Sequence, residues 1–205
     1  MPKRFRPYIK DIILPDGMIQ ARWERLAERI LEDYANEDEI VMIVLMNGGY
    51  KFFEDLKAKM NEQMRYLDRD KVPLIRQHFV RLQSYVDTAT TGEVKGIELL
   101  EALKITGKNV LLVEDMIDSG TTMKAVLKKI ETCFQPKSLR TAIAFHKMTP
   151  KNVEWGYFGE YTGFLVEEKF VIGYGMDYNE LFRDLPHLCE INQHGIDTYR
   201  KQAKD

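Results

Sequence analysis

Cysteine is scarce in this chain of 205 residues: Cys133 and Cys189 stand far apart, and neither belongs to a C-x-x-C pair. A disulfide framework, a structural zinc cluster and a thioredoxin-type redox pair are therefore excluded, and both thiols are expected to pack as small buried hydrophobes. No run of apolar residues approaches the ~18 needed for a membrane-spanning helix. The basic start, Met1 to Pro7, lacks the apolar stretch of a secretory signal, so a cytoplasmic protein with no membrane partner is expected. Charge of one sign is not in excess either: the net formal charge is −2 with no long basic stripe, which argues against a general nucleic-acid binder. His78, His146, His187 and His194 have no metal-ligand spacing and read as structural or solvated. Repeats, low-complexity tracts and Gly/Ser linkers are missing as well, and the length suits one domain over residues 1–205.

What is present is an alternation of apolar runs with amphipathic stretches. The periodicity predicts helices over 21–34, 49–67 and 121–132, and strands over 40–45, 74–81, 110–113, 138–146 and, briefly, 157–159. Strands alternating with helices imply an α/β fold with a mostly parallel twisted sheet flanked by helices. The stretch from Phe164 to Tyr199 breaks that pattern with short aromatic-rich pieces.

The most informative segment runs from Val110 to Met123. Val110-Leu111-Leu112-Val113 has no polar alternation and reads as a strand buried on both faces. Glu114, Asp115, Asp118, Ser119, Gly120, Thr121 and Thr122 follow, where open α/β sheets bind ligands at the carboxyl ends of their strands. The hydroxyls and backbone amides of residues 119–122 suit a phosphate at a helix N-terminus. The carboxylates of Glu114 and Asp115 would repel that phosphate, and suit ribose hydroxyls, held directly or through Mg²⁺. Asp118 also has a bland reading, as a helix N-cap. Gly48-Gly49, between a strand and a helix, fits either a second anion loop or a plain tight turn.

The segment from Val110 to Thr122 resembles the phosphoribosyl-diphosphate signature of type I phosphoribosyltransferases, a hydrophobic strand followed by Glu-Asp, a spaced Asp, then Ser-Gly-x-Thr. Asn47-Gly48-Gly49-Tyr50-Lys51-Phe52-Phe53, Arg81 to Tyr85, Lys147-Met148-Thr149-Pro150 and Lys169 to Leu185 narrow the resemblance to the hypoxanthine-guanine enzymes of eukaryotic type. It covers about 17–199 in order.

That resemblance implies a core of about 36–163 under a small hood made from about 1–20 and 164–205. It also implies transfer of 5-phosphoribose from phosphoribosyl diphosphate to N9 of hypoxanthine or guanine, with Mg²⁺, two ions per site, and assembly as a homodimer or homotetramer. By position it makes Asp118 the general base toward purine N7 and assigns 114, 115 and 118–122 to the nucleotide. Lys147 would donate to the purine 6-oxo group, Phe170 would stack on the base, and the Val171 backbone would bond its edge. Asp177, with Glu114 and Asp115, would attend the metal. Asn47, Gly48 and Arg183 would hold pyrophosphate, and Ser84 and Tyr85 would belong to a lid. Asn47 departs from the family, where lysine is common.

Each assignment competes with an ordinary one. Lysines are normally solvated, Phe170 and Val171 could be plain core, and the 84–93 stretch could be an exposed connector, although long connectors in compact domains are usually lids or disordered. An ammonium donor at Lys147 suits a 6-oxo group and has nothing to accept from the 6-amino group of adenine. Two rivals remain at this stage: a catalytically silent sensor of phosphoribosyl diphosphate or nucleotide, since fold does not fix function, and an enzyme broad enough to take xanthine. Together, Glu114, Asp115, Asp118, Lys147, Asp177 and Arg183 favour an enzyme.

Overall fold

The structure is a computed structural model and describes residues 1–46, 48–68, 72–84 and 94–200. After a 3-10 turn at Lys3–Tyr8 come β1 (Ile9–Leu14), α1 (Asp16–Asp33), β2 (Glu39–Met46), α2 (Gly49–Met64) and β3 (Leu74–Arg81). The short strands β4 (Gln83–Ser84) and β5 (Val94–Lys95) pair antiparallel, and a second 3-10 segment spans Ile97–Ala102. Then follow β6 (Asn109–Ile117), α3 (Thr121–Phe134), β7 (Ser138–Lys147), α4 (Pro150–Trp155), β8 (Tyr161–Val166), β9 (Val171–Ile172), β10 (Leu188–Ile191) and α5 (Gln193–Tyr199).

Five strands form a parallel sheet in the order β3-β2-β6-β7-β8. The central strands β2 and β6 are apolar without alternation because both faces are covered. On one face lie α1 and α2. The buried residues of α1, Ile19, Trp23, Leu26, Ala27, Ile30 and Leu31, recur at helical spacing and meet Met42, Val44, Leu111 and Val113 in one core. On the other face α3 contributes Met123, Val126 and Ile130 against Val41, Ile43, Val110 and Leu112. The chain leaves β2 toward one face and β6 toward the other. Their neighbouring carboxyl ends therefore diverge, and this switch point opens a crevice.

A second, three-stranded sheet has the order β1-β10-β9, all antiparallel, with Ile9 opposite Ile191 and Cys189 opposite Ile172. Phe5, Ile172, Phe182, Leu185 and Ile191 form its separate core. It is fastened to the larger body through Tyr174, whose hydroxyl accepts from Trp23 Nε1 and donates to Asp55 Oδ2 at 2.6 Å.

Several boundaries differ from the sequence reading for identifiable reasons. α1 starts at Asp16 rather than Ala21, and the Asp16 amide donates to His187 Nδ1 at 3.0 Å, a long-range partner that local pattern does not reveal. α2 stops at Met64, leaving Tyr66 and Leu67 exposed. No strand forms at 157–159. Gly156 and Gly159, both at positive φ, turn the chain there, and β8 begins at Tyr161 opposite Ala142. β8 then runs to Val166, slightly past the anticipated core boundary. Cys189 is buried as expected, whereas Cys133 is exposed on α3.

Candidate active site

β6 is longer than its apolar run, and that extension builds the site. Pairing with β2 ends at Val113, opposite Val44, while pairing with β7 continues to Ile117, opposite His146. Glu114, Asp115 and Met116 are thus strand residues, not the loop residues inferred from sequence. They are supported by β7 on one side and open to the crevice on the other. Asp115 lies so close over Gly48 that a side-chain carbon at position 48 would fall 1.3 Å from Asp115 Oδ2, which explains the glycine. Asp115 Oδ1 accepts the Met116 amide at 2.7 Å.

The two adjacent carboxylates are poorly compensated. Burial, followed by the charge of Asp115, pushes the Glu114 carboxyl well above the usual carboxylate range. Burial also raises Asp115, which Glu114's hydrogen bond and Arg183's charge partly offset. Among the described residues no lysine or arginine forms an ion pair with either, so the pair is set up for a ligand or cation to complete.

Asp118, Ser119 and Gly120 connect β6 to α3. Gly120 is buried, adopts φ of 73° and caps the helix, so Asp118 is not the N-cap. Ser119 Oγ donates to Thr121 Oγ1 at 3.2 Å. A cavity of about 380 Å³ is bounded by Glu114, Asp118, Ser119, Gly120 and Thr122, with Met46 and Leu82 on its far wall. The hydroxyls of this loop and the start of the 14-residue α3 are groups that can receive an anion.

A second cavity of about 400 Å³ shares Met46, Leu82, Glu114, Met116 and Asp118 with the first and extends to Lys147, Phe170, Val171, Asp177, Gly48 and Arg183. Lys147 is the last residue of β7, not the residue after it. Only 9% of it is exposed, and its Nζ lies 3.1 Å from Asp118 Oδ1. Phe170 is 52% exposed and packs roughly perpendicular to Tyr178, while Val171 is buried at the start of β9. Asp177 pairs with Arg183 Nη2 at 2.6 Å and accepts the Glu180 amide at 2.7 Å. Arg183 Nη1 also donates to Gly175 O. Gly175 in turn approaches the Gly48 carbonyl, which places the 175–183 turn against the start of α2.

Of the remaining sequence-derived candidates, Asn47, Tyr85 and the side chain of Ser84 lie outside the described residues. Two features escaped the sequence reading. Tyr174, read there as packing, is hydrogen-bonded to Asp55, which also accepts from Lys51 Nζ at 2.6 Å and Gln20 Nε2 at 3.0 Å. Burial and Asp55 push the Tyr174 hydroxyl above its ordinary pKa. The second feature is α4, with Thr149 and Asn152 buried behind the loop. Its start was legible, since Thr149 caps it and Pro150 is its first residue, but the burial of Asn152 was not. Among the histidines, His146 is buried against Phe158 and burial lowers its pKa.

A parallel sheet whose switch point holds a carboxylate pair, a hydroxyl-rich helix start and a lysine-aromatic wall defines a nucleotide-handling α/β protein, and the family comparison makes the class specific. Residues 11–179 match the phosphoribosyl transferase domain family, and the chain belongs to it. Within that family it is 38% identical to hypoxanthine-guanine phosphoribosyltransferase of Homo sapiens over 200 residues, 98% of this chain and 89% of the human protein. The crystal structure of hypoxanthine-guanine phosphoribosyltransferase from Schistosoma mansoni in complex with IMP superposes with a TM-score of 0.76 at 30% identity, covering 96% of this chain and 88% of that one. The L. donovani hypoxanthine-guanine enzyme gives 0.75 at 25% identity, over 92% and 99% of the two chains.

Proposed function

We propose that this phosphoribosyltransferase acts in purine salvage, moving 5-phosphoribose from phosphoribosyl diphosphate to N9 of hypoxanthine or guanine and releasing pyrophosphate with IMP or GMP. The observation that carries this reading is the convergence of Asp118 and Lys147 on one wall, joined by Glu114 to the cavity at the start of α3. The 5′-phosphate occupies residues 119–122, and the ribose hydroxyls face Glu114 and Asp115. Pyrophosphate lies between Gly48 and Arg183, whose planar fork suits phosphate oxygens, with Asn47 as a further contact.

The base lies against Phe170, with its 6-oxo group accepting from Lys147 Nζ and its edge on the Val171 backbone. Asp118 takes the N7 proton as N9 bonds to the sugar carbon and the bond to pyrophosphate breaks. Most of the acceleration comes from orientation and from carboxylates around a cationic sugar carbon, because the sugar phosphate is gripped by one rigid strand-loop-helix. Ser84 and Tyr85 belong to a lid that excludes water.

The donor set fits Mg²⁺. Among the described residues the close Glu114–Asp115 pair forms no ion pair with a lysine or arginine, and Asp177 lines the same cavity, an all-oxygen set of the kind that shares Mg²⁺ with substrate phosphates and hydroxyls. Glu114 and Asp115 would hold Mg²⁺ through ribose hydroxyls or water, and Asp177 would be a further ligand; two such ions would supply the positive charge that favours departure of the diphosphate. The enzyme works in the cytoplasm as a homodimer or homotetramer. No described helix is long and apolar enough to cross a membrane.

Steady-state assays with hypoxanthine, guanine, xanthine and adenine in parallel test the reading. Turnover of hypoxanthine and guanine with little or none of adenine is expected. Equal use of adenine, or no turnover of any base, overturns it, the second result favouring a sensor.

A further inference from the structure

Asn152 on α4 touches neither cavity, yet its side chain is fully buried between the two elements that carry Asp118 and Lys147. Its Nδ2 donates to Asp118 O at 2.6 Å and to Lys147 O at 2.8 Å, with a longer approach to Ile117 O at 3.5 Å. A primary amide has two N–H donors, and these two short bonds use both. The same turn adds a second tie, since Thr149 Oγ1 donates to Asp118 O at 3.4 Å and accepts the Asn152 amide at 3.2 Å. Asn152 Oδ1 is buried and has no hydrogen-bond partner among the described residues, and Trp155 lies beside it. A side chain at Gly120 would fall 2.9 Å from that oxygen and 2.7 Å from the Trp155 ring.

We infer that Asn152 is a positioning residue for the transfer. By clamping the carbonyls of Asp118 and Lys147 to one rigid amide, it fixes the spacing of the two side chains that read purine N7 and the 6-oxo group. This inference rests on the proposed function. N7 and the 6-oxo group are neighbours on one edge of the base, so both must be met at once, and Asp118 Oδ1 and Lys147 Nζ already stand 3.1 Å apart. Without the amide, two buried carbonyls lose their donors and the loop between β6 and α3 is freed from the end of β7. Misplacement by about 1 Å can cost on the order of 10²-fold in rate.

The experiment compares wild type, Asn152→Ala and Asn152→Ser, each also in a Lys147→Ala background, by kcat and KM for hypoxanthine and by thermal melting. Asn152→Ala should lower kcat/KM for hypoxanthine by about 10- to 100-fold. Asn152→Ser, which keeps one donor, should recover part of that loss. In the Lys147→Ala background the same change should cost clearly less, because the spacing then positions only one reader. A purely structural residue would instead reduce kcat in proportion to folded protein, leave KM unchanged and add to Lys147→Ala independently; that pattern overturns the inference. If Asn152→Ala does not fold, Asn152→Ser alone decides, and wild-type kinetics from it also overturn the inference. A wild type that turns over no 6-oxopurine defeats the proposed function itself, whereas an active wild type with unaffected variants defeats only the role of Asn152.

Discussion

The two ends of the candidate site rest on unlike structures: the end proposed for the sugar phosphate sits on β6 and α3 within a parallel sheet buried on both faces, and the end proposed for base and pyrophosphate draws on the 170–183 segment beside a three-stranded antiparallel sheet. At the first end the candidate residues are consecutive, Glu114 to Thr122, and within that run the one positive φ belongs to a glycine, Gly120. At the second, strands some 180 residues apart in sequence must pair, and Tyr174, Asn179, Glu180 and Phe182 all adopt positive φ within nine positions. Such backbone costs on the order of 1 kcal/mol or more per residue, and persists because the surroundings enforce it. The proposed sugar-phosphate end is thus built from local structure, and the proposed base end from long-range contacts.

The largest expected effect falls on the rigid end. Asp118→Asn keeps the shape but cannot accept the N7 proton, so kcat should fall by about 10- to 10⁴-fold while phosphoribosyl-diphosphate binding is largely retained. Pre-steady-state turnover with a binding titration checks it, and wild-type turnover removes Asp118 from the mechanism. Lys147→Ala should raise KM for hypoxanthine and guanine roughly ten- to a hundredfold, as loss of a charged hydrogen bond implies, and weaken discrimination against adenine.

The antiparallel end is probed through its anchor. Tyr174→Phe leaves the buried Trp23 Nε1 without its acceptor and takes one of two donors from Asp55 Oδ2, which keeps Gln20, at a cost of about 1–3 kcal/mol in stability. If the two ends are distinct in rigidity, KM for the base should rise more than KM for phosphoribosyl diphosphate. Equal changes in both would erase the distinction.

Glu114→Gln tests the uncompensated pair. Because the folded-state pKa of Glu114 is raised, its contribution to stability is present below its ordinary pKa of 4.5 and is lost as pH rises through the raised value. At neutral pH the variant should therefore melt higher than wild type, by about 2–4 °C for each kcal/mol recovered, while binding phosphoribosyl diphosphate more weakly. A melting temperature that is lower, or unchanged from pH 5 to 8, contradicts the assigned strain. The smallest effect is expected at position 47, where Asn47→Lys adds one partly screened charge near pyrophosphate and should tighten its inhibition by about 1 kcal/mol or less. An unchanged inhibition constant means that position 47 acts through its backbone.

The same contrast explains what could be read from the chain. Val110 to Thr122 carried its own evidence, because a doubly buried strand, a carboxylate pair and a helix start are local patterns. Even so, β6 continues through Glu114 and Asp115, since β7 goes on pairing where β2 has stopped. The first turn of α1 depends on His187, and the partners of Tyr174 and Asn152 come from elements distant in sequence. No spacing rule reports such contacts. Lys147 was legible through its family match, but its burial and its pairing with Asp118 needed the fold.

A crystal structure of the protein with IMP and Mg²⁺ tests the division of the site most directly. The account predicts the 5′-phosphate on the amides and hydroxyls of residues 119–122, the 6-oxo group within hydrogen-bond distance of Lys147 Nζ and the purine on Phe170. A phosphate bound instead at the 48–49 turn and Arg183, with the base away from Lys147, would contradict it.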